Sequence, residues 1–281
     1  MNKILVLLVL FISFNLSAQD NIKFDKKFVQ CEDKWVAFEA DSTGAYPYGF
    51  IYIDADAGLT LDYAGTFKIE SGNKFISEKT EVKSSIKYRL QPNNNMVALL
   101  PESKFAELNI EKTPDWLKHY KVGEGSVDRL YKWGYMYNGW GECEKALDYL
   151  EKAKVINPEY KGLLVELAFS YNCLKRYQKA VDVLEIALKK EPLDAYTNKE
   201  LVYAETKNGN LQEAEKVCRK VFKECKDKTY NSENAYNVLQ AYYLKKEIKN
   251  FNNWFQEVES YLMNDQRFKP LVEKMKKELG Q

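Results

Sequence analysis

Two consecutive stretches of equal length decide the fold of this chain. Residues 127–160 read VDRLYKWGYMYNGWGECEKALDYLEKAKVINPEY, and residues 161–194 read KGLLVELAFSYNCLKRYQKAVDVLEIALKKEPLD. When the two stretches are aligned, identical residues coincide in the pairs Tyr137 and Tyr171, Ala146 and Ala180, Ala153 and Ala187, and Pro158 and Pro192. A constant step of this length indicates a structural unit that is repeated along the chain.

Within each stretch, the apolar residues are spaced for two helices. Intervals of three and four residues place side chains on one face of a helix. The expected buried stripe of the first stretch consists of Leu130, Trp133 and Tyr137 on its first helix and of Ala146, Leu150 and Ala153 on its second. Small alanine side chains are expected where two helices cross closely. A proline after the second helix cannot continue it.

A 34-residue step with these residue types resembles the tetratricopeptide repeat (TPR). The resemblance covers residues 127–263 and implies an all-α solenoid of about four helix-turn-helix units. The expected units are 127–160, 161–194, 195–228 and 232–263. The last two fit the pattern less well, because Glu205 replaces the tyrosine of the third unit and Phe251 replaces the alanine of the fourth. Residues 264–281 are expected to form a C-terminal capping helix.

The residues before the repeats follow a different pattern, in which apolar and polar residues alternate. The alternating stretches are 34–38, 49–53, 59–63, 66–69, 75–77 and 86–90. A period of two that is interrupted by turn residues predicts an antiparallel sheet. Residues 19–112 are therefore expected to form a β-rich domain, which resembles no family that we recognise, and residues 113–126 a short helix and linker. The expected fold class is an α+β multidomain chain with an N-terminal antiparallel β domain and an all-α solenoid.

The N-terminal segment 1–18 has the layout of a secretory signal peptide. Lys3 precedes an unbroken apolar run at 4–12, and small residues lead to an expected cleavage site near Ala18. We therefore expect a bacterial protein that is exported to the periplasm or secreted, with no transmembrane segment in the mature chain. Without Lys3, the 42 basic residues fall to 41 and equal the 41 acidic ones. This balance argues against nucleic acid as a partner.

Five cysteines follow the expected signal peptide. In the geometry of the TPR, the ends of the helices that carry Cys143 and Cys173 lie at the same edge. A disulfide between these two cysteines is therefore a candidate in an oxidising compartment, and two buried free thiols are the alternative. Cys218 and Cys225 lie on one expected helix, about 10 Å apart along its axis, which is too far for a bond.

No residue pattern points to catalysis, a cofactor or a metal. The single histidine, His119, lies in an amphipathic segment and would have to serve any Ser/His/Asp or Cys/His arrangement. Asp54 and Asp56 have the spacing of calcium ligands, but a hairpin turn explains the same residues without a metal. The sequence therefore predicts a protein that is not an enzyme. The alternative is a carboxylate-dependent enzyme in the β domain, with the TPR array as a recruiting arm.

The resemblance implies that the first helix of each unit lines a concave groove. Carried over position by position, the candidate groove residues are Tyr131, Tyr135, Asn138, Phe169, Asn172, Tyr196, Lys199, Tyr203, Tyr236 and Asn237. Aromatic rings and amides suit a protein or peptide partner, although the tyrosines could also pack between neighbouring helices. The expected function is that of an exported binding scaffold. A structural component of a cell-envelope assembly remains a further alternative.

Overall fold

The computed structural model describes residues 22–78 and 86–280, so the expected signal peptide lies outside the described residues. The chain divides into two compact units, Met1–Leu117 and Lys118–Gln281. In the described residues, the first unit is built on an antiparallel sheet and the second on helices. This arrangement confirms the expected fold class.

The first unit contains a sheet of seven strands in its described part. The strands are β1 (Lys26–Lys27), β2 (Lys34–Ala37), β3 (Tyr46–Asp54), β4 (Gly58–Glu70), β5 (Lys74–Glu78), β6 (Ile86–Arg89) and β7 (Met96–Leu99). Their order is β1-β7-β2-β3-β4-β5, and β6 pairs with the first part of β4. All of these pairings are antiparallel.

Strand β4 joins two stretches that the sequence pattern presents separately, 59–63 and 66–69. The register with β3 shifts between Tyr48 and Gly49, so the ladder continues past an irregularity rather than ending there. At this place the backbones are too close for a side chain, because a Cβ added at Gly49 would lie 2.5 Å from the Asp62 carbonyl oxygen. The alternation of apolar and polar residues does not predict strands β1 and β7.

Aromatic side chains form much of the core of the first unit. Trp116 packs edge-on against Phe50 and Tyr52, with ring centroids 5.7 and 5.0 Å apart. Its chain segment contains the short 3-10 helix Asp115–Tyr120, within the expected helix and linker. A four-residue helix, α1 (Phe105–Leu108), buries Leu108 in a cluster with Tyr48 and Phe67.

The second unit consists of helical hairpins followed by a terminal helix. The helices are α2 (Val127–Gly139), α3 (Cys143–Ile156), α4 (Leu163–Cys173), α5 (Tyr177–Lys190), α6 (Ala195–Asn208), α7 (Leu211–Glu224), α8 (Asn231–Leu244), α9 (Ile248–Met263) and α10 (Lys269–Glu278). Hydrogen bonds from backbone amides to Ser126 and Asp194 side chains cap the N-termini of α2 and α6. Pro158 and Pro192 follow the ends of α3 and α5, as expected.

The turns inside the hairpins share a left-handed residue. This residue is Gly141, Lys175, Gly209 and Lys246 in the four hairpins, with φ angles of 74°, 59°, 91° and 57°. The first three follow the constant repeat step. Glycine adopts this backbone without strain, whereas a lysine does so at a cost.

Small residues allow the helices of the first hairpin to cross closely. A Cβ added at Gly134 would lie 2.3 Å from Leu150 Cγ, and Ala146 is fully buried. In the fourth hairpin, Phe251 takes the alanine position and is itself fully buried. It belongs to an enlarged apolar cluster with Trp254 and residues of α10, among them Val272. Helix α10 covers the end of the array, as a terminal repeat requires.

A candidate partner-binding face

The first helices of successive hairpins lie side by side. Helix α2 contacts α4, α4 contacts α6, and α6 contacts α8. In the described array no comparable contact joins α3 to α5 or α5 to α7, so the second helices are spread further apart. The first helices therefore form the inner side of the stack. We define its inner face by Tyr131, Tyr135, Phe169, Tyr196, Lys199, Tyr203 and Asn237.

Tyrosine rings give the inner face its apolar surface. Tyr135 is 60% exposed, and its ring centroid lies 6.5 Å from that of Tyr131. Tyr131, Tyr196 and Tyr203 are partly buried. Burial raises the pKa of Tyr131 to about 12, and the neighbouring Glu166, Tyr135 and Tyr160 contribute to this rise. Tyr131 therefore stays neutral at ordinary pH and presents its hydroxyl group beside apolar area.

Asn138 and Asn172 are not part of this face, which corrects their sequence-based assignment to the groove. Each is only 4% exposed. Asn138 Nδ2 donates to the backbone oxygen of Glu166 at 3.0 Å and to its Oε2 at 2.9 Å. Asn172 makes the same pair of bonds to Glu200, at 3.3 and 2.9 Å. Buried amides need such partners, so the two asparagines connect successive hairpins instead of reaching outward.

From the first connection between hairpins to the third, fewer of the buried polar side chains find a hydrogen-bond partner among the described residues. In the first connection, Ser170 Oγ also donates to Asn138 Oδ1 at 2.7 Å. The equivalent atom Asn172 Oδ1 is buried without a partner among the described residues, because Ala204 stands where the serine would be. One step later, Thr206 and Asn237 replace the asparagine and the glutamate, because the fourth hairpin lies three residues beyond the constant step. Thr206 Oγ1 and Asn237 Nδ2 are also buried without a partner in the part of the chain that the structure describes.

Tyr236 also differs from the expectation of a groove residue. It is 9% exposed and stacks on Phe268 at a centroid distance of 4.6 Å. Its hydroxyl accepts a hydrogen bond from Gln240 at 3.1 Å. The residues that precede α10 thus cover it, as the capping of the last hairpin requires. Asn237, one residue further, is partly buried.

Lys199 is held in place by carboxylates of its own array. Its Nζ lies 2.9 Å from Glu200 Oε1 and 3.5 Å from Glu233 Oε1. The same atom lies 5.4 Å from the ring centroid of Tyr196, within range of a cation–π contact. The buried carboxylate of Glu200 is therefore neutralised internally.

Glu166 occupies the same position one hairpin earlier but lacks a cation. It is 6% exposed, and within the described residues no lysine, arginine or histidine lies within ion-pair distance of its carboxylate. Burial raises the pKa of Glu166, an effect that Asn138 partly offsets and that Glu200 increases. Val165 stands where Lys199 stands in the next hairpin, which explains the difference.

A cavity of about 520 Å³ opens beside this carboxylate. Its walls include Tyr131, Tyr160, Glu166 and Tyr196. The charged residues that line it are Glu159, Glu166, Glu191, Asp194, Lys161 and Lys190. Four acidic residues and two lysines therefore line the cavity, and one of the lysines, Lys190, forms an ion pair with Glu159 at 2.8 Å.

A disulfide joins Cys143 and Cys173, whose Cα atoms are 6.3 Å apart. It connects the first residue of α3 to the last residue of α4 and thus two successive hairpins. Cys31, Cys218 and Cys225 are buried free thiols. The burial that raises the pKa of Cys31 to about 11 also makes this thiol unreactive.

The four hairpins share a left-handed turn residue, and the first three also share a 34-residue step and a buried alanine where their helices cross. The second unit is a tetratricopeptide-like helical repeat array. This confirms the resemblance inferred from the sequence. No protein-family model and no curated protein sequence matches the chain.

Among solved structures, the chain is similar to MamA (residue 41 to its end) from Desulfovibrio magneticus RS-1. The sequence identity is 18% and the TM-score 0.45, with 54% of this chain and 84% of that chain covered. It is also similar to a Podospora anserina protein described as a kinesin light chain with nearly identical TPR-like repeats. There the identity is 19% and the TM-score 0.40, with coverage of 54% and 82%.

Outside the TPR array, the structure accounts for the candidate calcium residues by a turn. Asp54 Oδ1 accepts hydrogen bonds from the backbone amides of Asp56 and Ala57, at 2.8 and 2.9 Å. Across residues 22–78 and 86–280, no three His, Cys, Asp or Glu side chains are grouped to hold a metal ion. Over the same residues, no helix has the length and apolar character needed to cross a membrane.

Proposed function

We propose that this chain is an exported, non-enzymatic scaffold that holds a protein or peptide partner on the inner face of its TPR array. The observation that carries the proposal is the exposure of Tyr135 on this face. Tyr137, two residues further along α2, is fully buried. Helix α2 therefore places the Tyr137 ring in the core and the Tyr135 ring on the surface. An exposed tyrosine supplies contact area to a partner at a low cost in entropy.

The mixed chemistry of the inner face supports a peptide-like partner. Tyr131, Tyr196 and Tyr203 add partly exposed rings, and Lys199 adds a cation within the same surface. Rings that alternate with polar groups match a peptide, which has both apolar side chains and backbone donors and acceptors.

The electrostatics favour the scaffold over a carboxylate-dependent enzyme. Such an enzyme needs a carboxyl group whose pKa is raised toward neutrality in the N-terminal unit. Among the described residues, the carboxyls whose pKa burial raises are Glu166 and Glu205, and both belong to the array. In the N-terminal unit, a backbone hydrogen bond from Phe75 and the nearby Lys104 lower the pKa of Glu107.

Two observations support export. Residues 1–18 carry the charge and apolar pattern of a signal peptide. The Cys143–Cys173 disulfide is of a kind that persists in oxidising compartments such as the periplasm. Mass spectrometry of the mature N-terminus tests the cleavage near Ala18. A chain that retains residues 1–18 in the cell would refute this part of the proposal.

Site-specific photo-crosslinking in living cells tests the partner-binding face. A photoreactive residue placed at Tyr135 samples the inner face, and one placed at Ile186, which is 48% exposed on α5, samples the opposite helices. A third at Tyr88, 50% exposed on β6, samples the N-terminal unit. We expect a discrete crosslinked protein from Tyr135 alone, and its yield should fall when Tyr203→Ala is added.

The same three positions distinguish the alternatives. A product from Tyr88 but not from Tyr135 would favour a structural component of an envelope assembly that makes its contacts through the β domain. Equal products from Tyr135 and Ile186 would show that the inner face has no special role.

A further inference from the structure

A buried glutamate recurs at the same position of the second and third hairpins, as Glu166 and Glu200. Among the described residues, a lysine neutralises Glu200 but no cation neutralises Glu166. Glu166 and Glu200 are separated by one repeat step, and each accepts a hydrogen bond from the asparagine of the preceding hairpin. Lys199 pairs with Glu200 at 2.9 Å, whereas Val165 leaves Glu166 without a counter-ion among the described residues. A carboxylate on a residue that is only 6% exposed gains more from a cation than one in open solvent does.

The surroundings of Glu166 suit a cation better than any other occupant. Four acidic residues and two lysines line the cavity beside it, and the Lys190 charge is already paired with Glu159. Tyr131 and Tyr196 both line the cavity and both lie close enough to Glu166 to sense its charge. Aromatic faces beside a carboxylate attract an ammonium or guanidinium group, and the excess of negative charge disfavours an acidic side chain.

We propose that the cavity bounded by Tyr131, Glu166 and Tyr196 takes a lysine or arginine side chain of the bound partner. The cation lies over the tyrosine rings and pairs with the Glu166 carboxylate. This inference rests on the proposed function, since it specifies one side chain of the peptide or protein held on the inner face.

The next hairpin shows the same chemistry inside the chain. There Lys199 places its ammonium group on Glu200 and 5.4 Å from the ring centroid of Tyr196. A partner's cation at Glu166 would therefore complete a position that the array itself completes one step later. This relation also supplies a matched variant, because Val165→Lys places a lysine in the same register as Lys199.

Selection from a library of random dodecapeptides on the full-length protein tests the proposal. We expect the selected peptides to share lysine or arginine at one fixed position. For a synthetic selected peptide, replacement of that residue by norleucine should weaken binding about 10- to 100-fold, the range for a desolvated charge-assisted contact.

Three variants locate the cation. Glu166→Gln keeps an acceptor for Asn138 but removes the charge, and Val165→Lys supplies the charge from within. Each should reduce binding of the basic peptide by at least about tenfold and change binding of the norleucine peptide much less. Leu244→Lys, which adds a lysine at an exposed position at the end of α8 outside this cavity, should bind both peptides as the wild type does. Thermal unfolding of each variant shows whether it has folded.

The outcomes separate this inference from the proposed function. Peptides that depend on Tyr135 but have no shared basic position would overturn the cation site and leave the inner face as the binding surface. A shared basic position that Glu166→Gln and Val165→Lys do not affect would also overturn it. Failure to select any peptide whose binding falls with Tyr135→Ala would remove both proposals together.

Discussion

Removal of the Cys143–Cys173 disulfide should weaken the array by an amount that the structure determines. The bond closes a loop with a sequence separation of 30 residues. In the chain-entropy treatment, cross-linking a loop of this length lowers the entropy of the unfolded chain by about 12 cal/mol/K. At 25 °C this corresponds to about 3.6 kcal/mol of the free energy of unfolding. Because the loop joins two hairpins, the loss falls on the first two units of the TPR array.

The assay is urea unfolding, followed by the helical circular dichroism signal with and without a reducing agent. The oxidised wild type should be more stable than the reduced wild type by about 3.6 kcal/mol. The Cys143→Ala/Cys173→Ala variant should match the reduced wild type and should not respond to the reducing agent. This comparison separates the cross-link from the small change in packing, since the reduced wild type retains both sulfur atoms.

Thiol titration of the denatured protein provides an independent check. Of the five cysteines, the three free ones, Cys31, Cys218 and Cys225, should react before reduction and all five afterwards. Five reactive thiols without a reducing agent would show that the bond does not form. An unchanged urea midpoint in a protein with three reactive thiols would refute the entropic reasoning instead.

Three further substitutions test local features of the array. Lys175→Gly relieves a left-handed lysine with φ of 59° and should raise the free energy of unfolding by about 0.5–1 kcal/mol in urea titration. Thr206→Val removes a buried hydroxyl without a partner among the described residues and should stabilise by about 1 kcal/mol, whereas the control Thr197→Val loses the bond to Asp194 and should destabilise. Burial raises the pKa of Glu166, so its ionised form opposes folding at pH 7. At pH 7, Glu166→Gln should therefore raise the midpoint of thermal unfolding above that of the wild type. The difference between the two midpoints should vanish below about pH 4.3, where the glutamate is protonated in both the folded and the unfolded state.

The helical half of the fold could be predicted because its contacts are local and repeated. Each hairpin joins helices that are adjacent in sequence, and the constant repeat step fixes which residues meet. No repeat step and no local contact indicates where strand β7 pairs in the sheet. This strand follows Pro92 and three asparagines, and it pairs Leu99 with Val36, which lies far away along the chain. Alternation predicts that a strand exists, but it does not predict its distant neighbours.

The inner face was only partly accessible from the sequence. The TPR resemblance assigns helix positions to one side, and of these residues Tyr131, Tyr135, Tyr196 and Tyr203 are exposed or partly buried. It does not distinguish a polar side chain that reaches outward from one that is bonded between hairpins. A usable signal was present, because Asn138 recurs one repeat later as Asn172, and Glu166 likewise as Glu200. Two polar residue types that recur together in neighbouring repeats indicate a buried pair.

The departures from exact repetition explain where a partner's charge would bind. At the first connection between hairpins, Asn138, Ser170 and Glu166 satisfy one another's hydrogen bonds, but no cation among the described residues balances the carboxylate. At the second, Lys199 balances the charge. At the third, Asn237 replaces the glutamate and there is no charge to balance. The first connection therefore combines a buried carboxylate that has no counter-ion among the described residues with an open cavity, and a single basic side chain would complete this arrangement.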